Sequence, residues 1–434
     1  MSTSKPSIDP LPDLIDESVD EAAFLWQRWE QDLASASRNL DDVWTWTEDR
    51  LNGSLDGVRI AGDGMFESVL AGAMASDNSF RQTAVASALA TAPTRNARHL
   101  LADAVRDAAG PQLAACMRGI EVANLDGSFA PVNKVLASGG PEHSAALCRL
   151  KAFRRATLGP ELATAFESRV TSLQVEVMRA ARHLPPEYVG GWVATGLKHE
   201  HAAVRAAAIE SGISRRVPNA WAAALEYVRQ PRTETSRLLP MVAMLGAAAE
   251  HRLILDSVTD ASLQRAALWS LGHIGTTEAV DVCLLAMKNP KLARMGGEAY
   301  CTITGADIER DNLAAPEPED PPMPSFGEED LDANLVPRPE ELWPLPDAHL
   351  VRQHWAQASP RFQRGRRYLR GMPHDGQSML FAIVYGPMLR RPDHIFEMFV
   401  RSEGRFDVEP RASAPVQKNM IVSGQTRLST STAA

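Results

Sequence analysis

The chain has 434 residues, of which 44% are apolar and 23% charged, and a formal net charge of −9. That length exceeds what one compact core usually covers, so several domains or a repeat array are expected, and the ordinary composition excludes a collagen-like or wholly disordered chain. The acidic balance argues against a nucleic-acid partner, because phosphate contacts demand a basic face.

Residues 1–10 read as a disordered tail. Residues 11–62 read as a helical, acidic N-terminal cap that carries four of the nine tryptophans, Trp26, Trp29, Trp44 and Trp46. A repeat array needs such a special element at its end. The four indoles fit packing inside the cap, or alternatively a recognition patch for a protein partner.

Residues 63–310 carry an internal repeat. Val204-Arg205-Ala206-Ala207-Ala208-Ile209, Leu263-Gln264-Arg265-Ala266-Ala267-Leu268 and Phe80-Arg81-Gln82-Thr83-Ala84-Val85 follow one template. The template runs apolar, polar, any, small, small, apolar, and weaker copies begin near Leu113, Ala145, Leu173, Arg237 and Leu292. A step of about 30 residues suffices for two short antiparallel helices and their turns. Small residues let neighbouring helices approach closely, while the apolar positions fill the seam. The fold class expected is all-α: a HEAT-like α-solenoid of about eight helical-pair repeats with the cap before it. Asp77, Asp260 and Asn289-Pro290 are candidate helix starts, and Gly212, Gly246, Gly272 and Gly275 are candidate helix ends.

Residues 311–347 read as an acidic, Pro-rich linker. From 311 to 350 there are eleven acidic residues against one basic, and the Pro-Glu-Pro-Glu-Asp-Pro-Pro run at 316–322 cannot continue a helix. Residues 348–415 read as a small basic C-terminal helical segment, and 416–434 as a second disordered tail. The segment contains Arg361, Phe362, Arg364, Arg366, Arg367, Tyr368 and Arg370. The interleaved aromatic residues favour docking onto the rest of the chain, with contact to a protein or a nucleic acid as alternatives.

No phosphate-binding glycine loop and no Gly-x-Ser-x-Gly elbow occurs, so neither a cofactor nor a catalytic residue is expected. His199-Glu200-His201 is the sharpest metal candidate, yet it stands alone where a binuclear centre needs several His-Glu pairs. An unrecognised metal enzyme using His199, Glu200 and Asp256 is the second function considered. The basic cluster Arg149, Lys151, Arg154 and Arg155 reads as a solvated face. Cys116, Cys148, Cys283 and Cys301 lie far apart and fit buried apolar groups in a reducing compartment. No apolar run approaches the roughly 18 residues that span a bilayer, and the opening residues lack a signal-peptide layout. A cytoplasmic location without membrane contact is expected.

Three signatures carry a family resemblance. The first is Glu21-Ala22-Ala23-Phe24-Leu25-Trp26, followed by Asp49-Arg50-Leu51 and by 55–62. The second is 298–308, running into the acidic linker. The third is Trp355 followed by Phe362-Gln363-Arg364-Gly365-Arg366-Arg367-Tyr368-Leu369-Arg370-Gly371. In these the chain resembles a family of bacterial HEAT-like proteins often encoded beside type VI secretion genes, and with the repeats between them the likeness spans nearly the whole chain. Trp44 and Trp46 depart from the family pattern. The resemblance implies no catalytic residue. It implies an adaptor or chaperone-like accessory role, with a secreted effector or a secretion spike component as the protein client.

Overall fold

The computed structural model describes residues 12–123, 130–157, 161–184, 186–232, 234–316 and 338–431. They are predominantly helical, and the chain divides into two compact units, Met1–Trp221 with Tyr385–Ala434, and Ala222–Val384. The expected tail at 1–10 lies outside the described residues.

The first unit opens with α1 (Pro12–Asp32), α2 (Leu40–Val43), α3 (Asp49–Ala61) and α4 (Ala71–Ala75), with π-helical turns at Trp44–Glu48 and Phe66–Leu70. It continues through α5 (Ser79–Thr91), α6 (Arg95–Asp107), α7 (Gly110–Val122), α8 (Ala130–Ser138) and α9 (Pro141–Phe153). Then come α10 (Glu161–Phe166), α11 (Thr171–Ala181), α12 (Pro186–Gly196) and α13 (Ala202–Ser214). The division between units falls inside α14 (Ala220–Arg229). The second unit holds α15 (Thr235–Leu245), α16 (Ala248–Ser257), α17 (Gln264–Ile274), α18 (Thr277–Ala286), α19 (Ala293–Thr304) and α20 (Ala348–Ala358). A small antiparallel hairpin of β1 (Tyr368–Leu369) and β2 (Met372–Pro373) precedes α21 (Gly376–Tyr385). The chain then supplies α22 (Arg391–Arg401) and α23 (Ala414–Ser431) to the first unit.

Every template start identified in the sequence lies at the beginning of an odd-numbered helix, α5 through α19. In the first unit these helices pack in series: α5 on α7, α7 on α9, α9 on α11 and α11 on α13. In the second unit α15 packs on α17 and α17 on α19. The template explains the packing. In α5 every residue from Gln82 to Ala90 is buried, and in α13 Val204 and Ala206 to Ile209 are buried. A helix that small and apolar residues cover nearly all round lies between layers rather than on a surface. At Gly119 a Cβ would meet the Ser87 backbone nitrogen at 2.9 Å and the Ala86 Cβ at 3.1 Å, so α7 approaches α5 at backbone distance.

Several local readings are corrected. Asn78, not Asp77, caps α5, its Oδ1 accepting from the Phe80 amide at 2.9 Å. Gly212 lies inside α13, where its missing Cβ leaves room for Ala220 at 2.5 Å, and Gly272 lies inside α17. Gly275 does end α17, in the left-handed region at φ 69°.

The linker and tail readings also change. Residues 317–337 lie outside the described residues, but both flanks of that stretch are anchored. The Asp347 amide donates to Leu313 O at 2.8 Å and the Ala315 amide to Leu345 O at 2.8 Å, while Trp343 is buried against Trp269. The apolar anchors of these flanks are the buried Leu313 and Trp343. Residues 348–415 are not one segment, since 348–384 belong to the second unit and the remainder to the first. Up to residue 431 the expected C-terminal tail is helix α23, held because Gln417 and Ile421 are buried and Gly424 lets the Phe406 ring approach. Residues 432–434 lie outside the described residues.

Candidate functional site

Within the first unit a cavity of about 340 Å³ is lined by residues of α1, the first π-turn, α3, α5, the end of α7 and the start of α23. Its floor is aromatic. Trp26 and Trp29 stand one turn apart on α1 with ring centroids 5.7 Å apart and planes at 76°, an edge-to-face pair. Both are buried. A π-turn widens the helix by one residue and occurs frequently at functional sites. Here it carries Trp44 and Glu48 at its two ends, and both line the cavity.

Glu48 is buried, yet its carboxylate is held from two sides. Trp29 Nε1 donates to Oε2 at 2.9 Å, and the Ala414 amide donates to the same oxygen at 2.9 Å. Burial raises the Glu48 pKa, opposed by those bonds from Ala414 and Trp29 and by the charge of Lys418. The Glu48–Ala414 bond ties the start of α23 to the first π-turn, and Ser413 and Pro415 line the cavity beside it. Opposite them, Arg59 Nε donates to Thr91 Oγ1 at 2.6 Å, and the guanidinium pairs with Asp56. Trp26 Nε1 is buried with no acceptor among the described residues.

The sequence grouped four tryptophans as a candidate contact patch. The structure brings Trp26, Trp29 and Trp44 to one cavity and leaves Trp46 outside it, 64% exposed beneath Arg38. Trp26 and Trp29 therefore offer no open surface, because the α1 face that bears them packs against α3 and α5.

A charged seam runs from this cavity along the C-terminal ends of the odd-numbered helices. Arg118 of α7 lies over the Trp29 ring at 5.1 Å, donates to Glu30 and reaches Arg411 O at 3.0 Å. Past the end of α9, Arg155 donates to both oxygens of Asp407 at 2.7 and 2.8 Å and to Glu409 at 3.2 Å. Past α11, His183 Nδ1 lies 3.2 Å from Asp407. Past α13, Arg216 pairs with Glu403 at 2.7 Å and Arg215 lies over the Phe399 ring at 5.2 Å. Arg154 donates to the Ile120 and Ala123 carbonyls. The reading of Arg154 and Arg155 as a solvated face is thus corrected: Arg155 docks the C-terminal segment, and Arg154 bonds the carbonyls at the end of α7. The sequence did hold a signal, since Arg154-Arg155, Arg182-His183 and Arg215-Arg216 recur at one point after successive template helices. Their partners Asp407, Glu409 and Glu403 carry no periodicity that would have marked them.

The seam's electrostatics follow from its burial. Although burial alone would push the Asp407 carboxyl up, the His183 hydrogen bond and the Arg155 charge hold it far below the ordinary carboxylate range. His183 is pushed down to about 4, chiefly by burial, with the charges of Arg155 and Arg182 adding to it and the Asp407 hydrogen bond opposing it. His183 is therefore neutral at pH 7 in the folded chain and protonates near pH 6.5 once unfolded. Between those values the unfolded state binds the extra proton, so stability falls as pH drops from 6.5 toward 4. The expected loss is about 3 kcal/mol over that window, and His183→Gln should flatten the slope there by close to one proton. Chemical denaturation at half-unit pH steps checks this, and an unchanged slope in the variant would contradict it.

In the second unit the Arg-rich stretch plays a parallel part. Arg367 donates to His273 O at 2.6 Å, Met244 O at 3.1 Å and Ile274 O at 3.3 Å, the last carbonyls of α17 and α15. A cation at a helix C-terminus satisfies orphan acceptors and complements the macrodipole. The Tyr368 amide donates to Gly275 O at 2.7 Å, and those of Arg370 and Gly371 to Thr302 O and Ile303 O at 2.7 and 2.9 Å. Phe362 and Tyr368 are buried and in contact, with ring centroids 4.7 Å apart. Arg364 pairs with Glu278 at 2.9 Å, while Arg361 and Arg366 are exposed. Of the candidate contact residues in this stretch, Phe362, Arg367 and Tyr368 are spent on the unit's own helices, and Arg370 is half-buried there through its backbone bond.

The metal candidate finds no support in the geometry. His199 and His201 stack at 5.5 Å, His201 and Glu200 are exposed while His199 is half-buried with its Nδ1 accepting from the His201 amide at 3.1 Å, and Asp256 pairs with Arg252 at 3.2 Å. Among the described residues no group of three or more His, Cys, Asp or Glu side chains is disposed to hold a metal ion. Among them, too, no helix is long and apolar enough to cross a membrane.

No protein-family model matches the chain, and no curated protein matches its sequence.

Proposed function

We propose that the chain is a non-catalytic protein-interaction scaffold, a HEAT-like α-solenoid of helical pairs that holds a protein client. The observation that carries this reading is the serial packing of the odd-numbered helices, each on the next of its kind, within each unit. Units that contact only their neighbours leave long surfaces open to a partner. Large apolar side chains left exposed add to it: Phe24, Trp46 and Ile60 in the first unit, Leu285, Leu342 and Phe381 in the second. The C-terminal ends of α7, α9, α11 and α13 are already taken by the chain's own residues 399–414, so a client binds elsewhere on the first unit.

The resemblance described above gives the client its expected identity, a secreted effector or spike component of a type VI secretion system, with the chain acting from the cytoplasm as an adaptor or chaperone. Affinity purification of the tagged full chain from its native host under secretion-inducing conditions, with mass spectrometry of the eluate, tests this. Enrichment of a secretion tip protein or a toxin is the expected result. Recovery of the scaffold alone, at low salt and with short handling, contradicts a stable client complex.

A further inference from the structure

The tryptophan-lined cavity has a donor surplus that the scaffold role leaves unused. Trp44, Asn52, Ser87 and Ser413 line it and make no side-chain hydrogen bond among the described residues. Ser87 is 2% exposed, and the little surface it retains lies at its hydroxyl, toward the cavity. Arg59 spends Nε on Thr91 and one terminal nitrogen on the exposed Asp56, which leaves its other terminal nitrogen unspent.

The ligand class follows by balancing these groups. The unspent donors that reach the cavity are the Trp44 indole N–H, an amide, two hydroxyls and a guanidinium nitrogen, while the Asn52 carbonyl and the hydroxyl oxygens are the unspent acceptors. The single lining carboxylate, Glu48, already accepts from Trp29 and Ala414. A cation is disfavoured twice over, because Arg59 shares the lining and Arg118 already covers the face of Trp29. Arg favours planar anions that take two parallel hydrogen bonds, and indole walls favour a flat apolar body. A volume of about 340 Å³ admits a compound of one ring and a short arm.

We propose that this cavity binds a small carboxylate carrying a planar apolar body, its carboxylate toward Arg59 and Asn52 and its ring against Trp44. This site goes beyond the scaffold reading and does not depend on it. Two sources share the chemistry, a free aromatic acid and the C-terminal aromatic residue of a polypeptide.

The test uses the full-length chain with ¹⁵N-labelled tryptophan, following the indole N–H resonances, which are assigned by single Trp→Phe variants. The probes are phenylacetate, phenylacetamide, and the tripeptide Gly-Gly-Phe with a free or an amidated C-terminus. Saturable shifts of the Trp44 indole by phenylacetate are expected, about tenfold weaker for the amide and in Arg59→Gln. Asn52→Phe, which fills the rim, should abolish them, and it carries the test alone if Arg59→Gln melts early. Binding of the free-ended tripeptide as well assigns the source to a polypeptide terminus, and binding of phenylacetate alone assigns it to a free acid. Absence of saturable shifts up to roughly 10 mM, equal binding of acid and amide, or full binding by a folded Asn52→Phe variant would overturn the proposal.

Discussion

Asp407→Ala should cost the first unit about 3–5 kcal/mol, because it strands buried charge rather than merely deleting a contact. The carboxylate takes two bonds from Arg155 and faces His183 at 3.2 Å. Without it the Arg155 guanidinium, whose side chain is 18% exposed, keeps only Glu409 as a charged partner. The cost should be much smaller when both partners are removed together. A double replacement of similar volume, Arg155→Met with Asp407→Leu, should recover most of the loss, since a well-packed apolar pair replaces a buried ion pair at little net cost. Urea unfolding followed by tryptophan fluorescence reads both variants, with the transitions of the two units fitted separately. Equal losses in the single and double variants would show that the seam acts through packing and not through charge.

Arg367→Ala should destabilise the second unit by about 2–3 kcal/mol, since three carbonyls at the ends of α15 and α17 lose a charged donor. Arg367→Lys should recover less than half of this. An ammonium is a compact point donor, whereas the planar guanidinium presents its nitrogens in a fixed fork that reaches all three oxygens. The unfolding midpoint of the second transition is the readout. A lysine variant as stable as the parent would show that charge near the helix ends matters and the fork does not.

The helices were largely legible in the sequence because their constraint is local. Val204 to Ile209 and Leu263 to Leu268 repeat one small–small–apolar pattern, and a helix packed against its neighbours in the next repeats needs that pattern whatever surrounds it. Helix ends were less legible: Gly212 looked like a terminus but serves the close approach of α14, a tertiary demand that leaves the same residue in the chain. The C-terminal segment was misread for the reverse reason. Its polar residues from 416 onward resemble a tail, and only Gln417, Ile421 and the Gly424 opposite Phe406 hold it as a helix.

Site legibility divides in the same way. The tryptophan cluster stood out by composition, and three of its four members do share a cavity. Glu48, which pins the C-terminal turn through Ala414 across 366 residues of chain, carries no local mark at all. The arginine-rich run at 361–370 was visible as charge, but that Arg367 would spend its donors on helix-end carbonyls depends on where α15 and α17 terminate.

One arrangement recurs in both units: a late segment of the chain crosses the C-terminal ends of the odd-numbered helices and bonds to them, residues 367–371 in the second unit and 403–414 in the first. Hydrogen–deuterium exchange resolved to single amides tests it most directly. The amides of Tyr368, Arg370 and Gly371, bonded to Gly275, Thr302 and Ile303, should exchange as slowly as the interior amides of α17 and α19, and that of Ala414 as slowly as the interior of α3. Exchange of these four at the rate of an unstructured chain, while the repeat helices stay protected, would contradict the account.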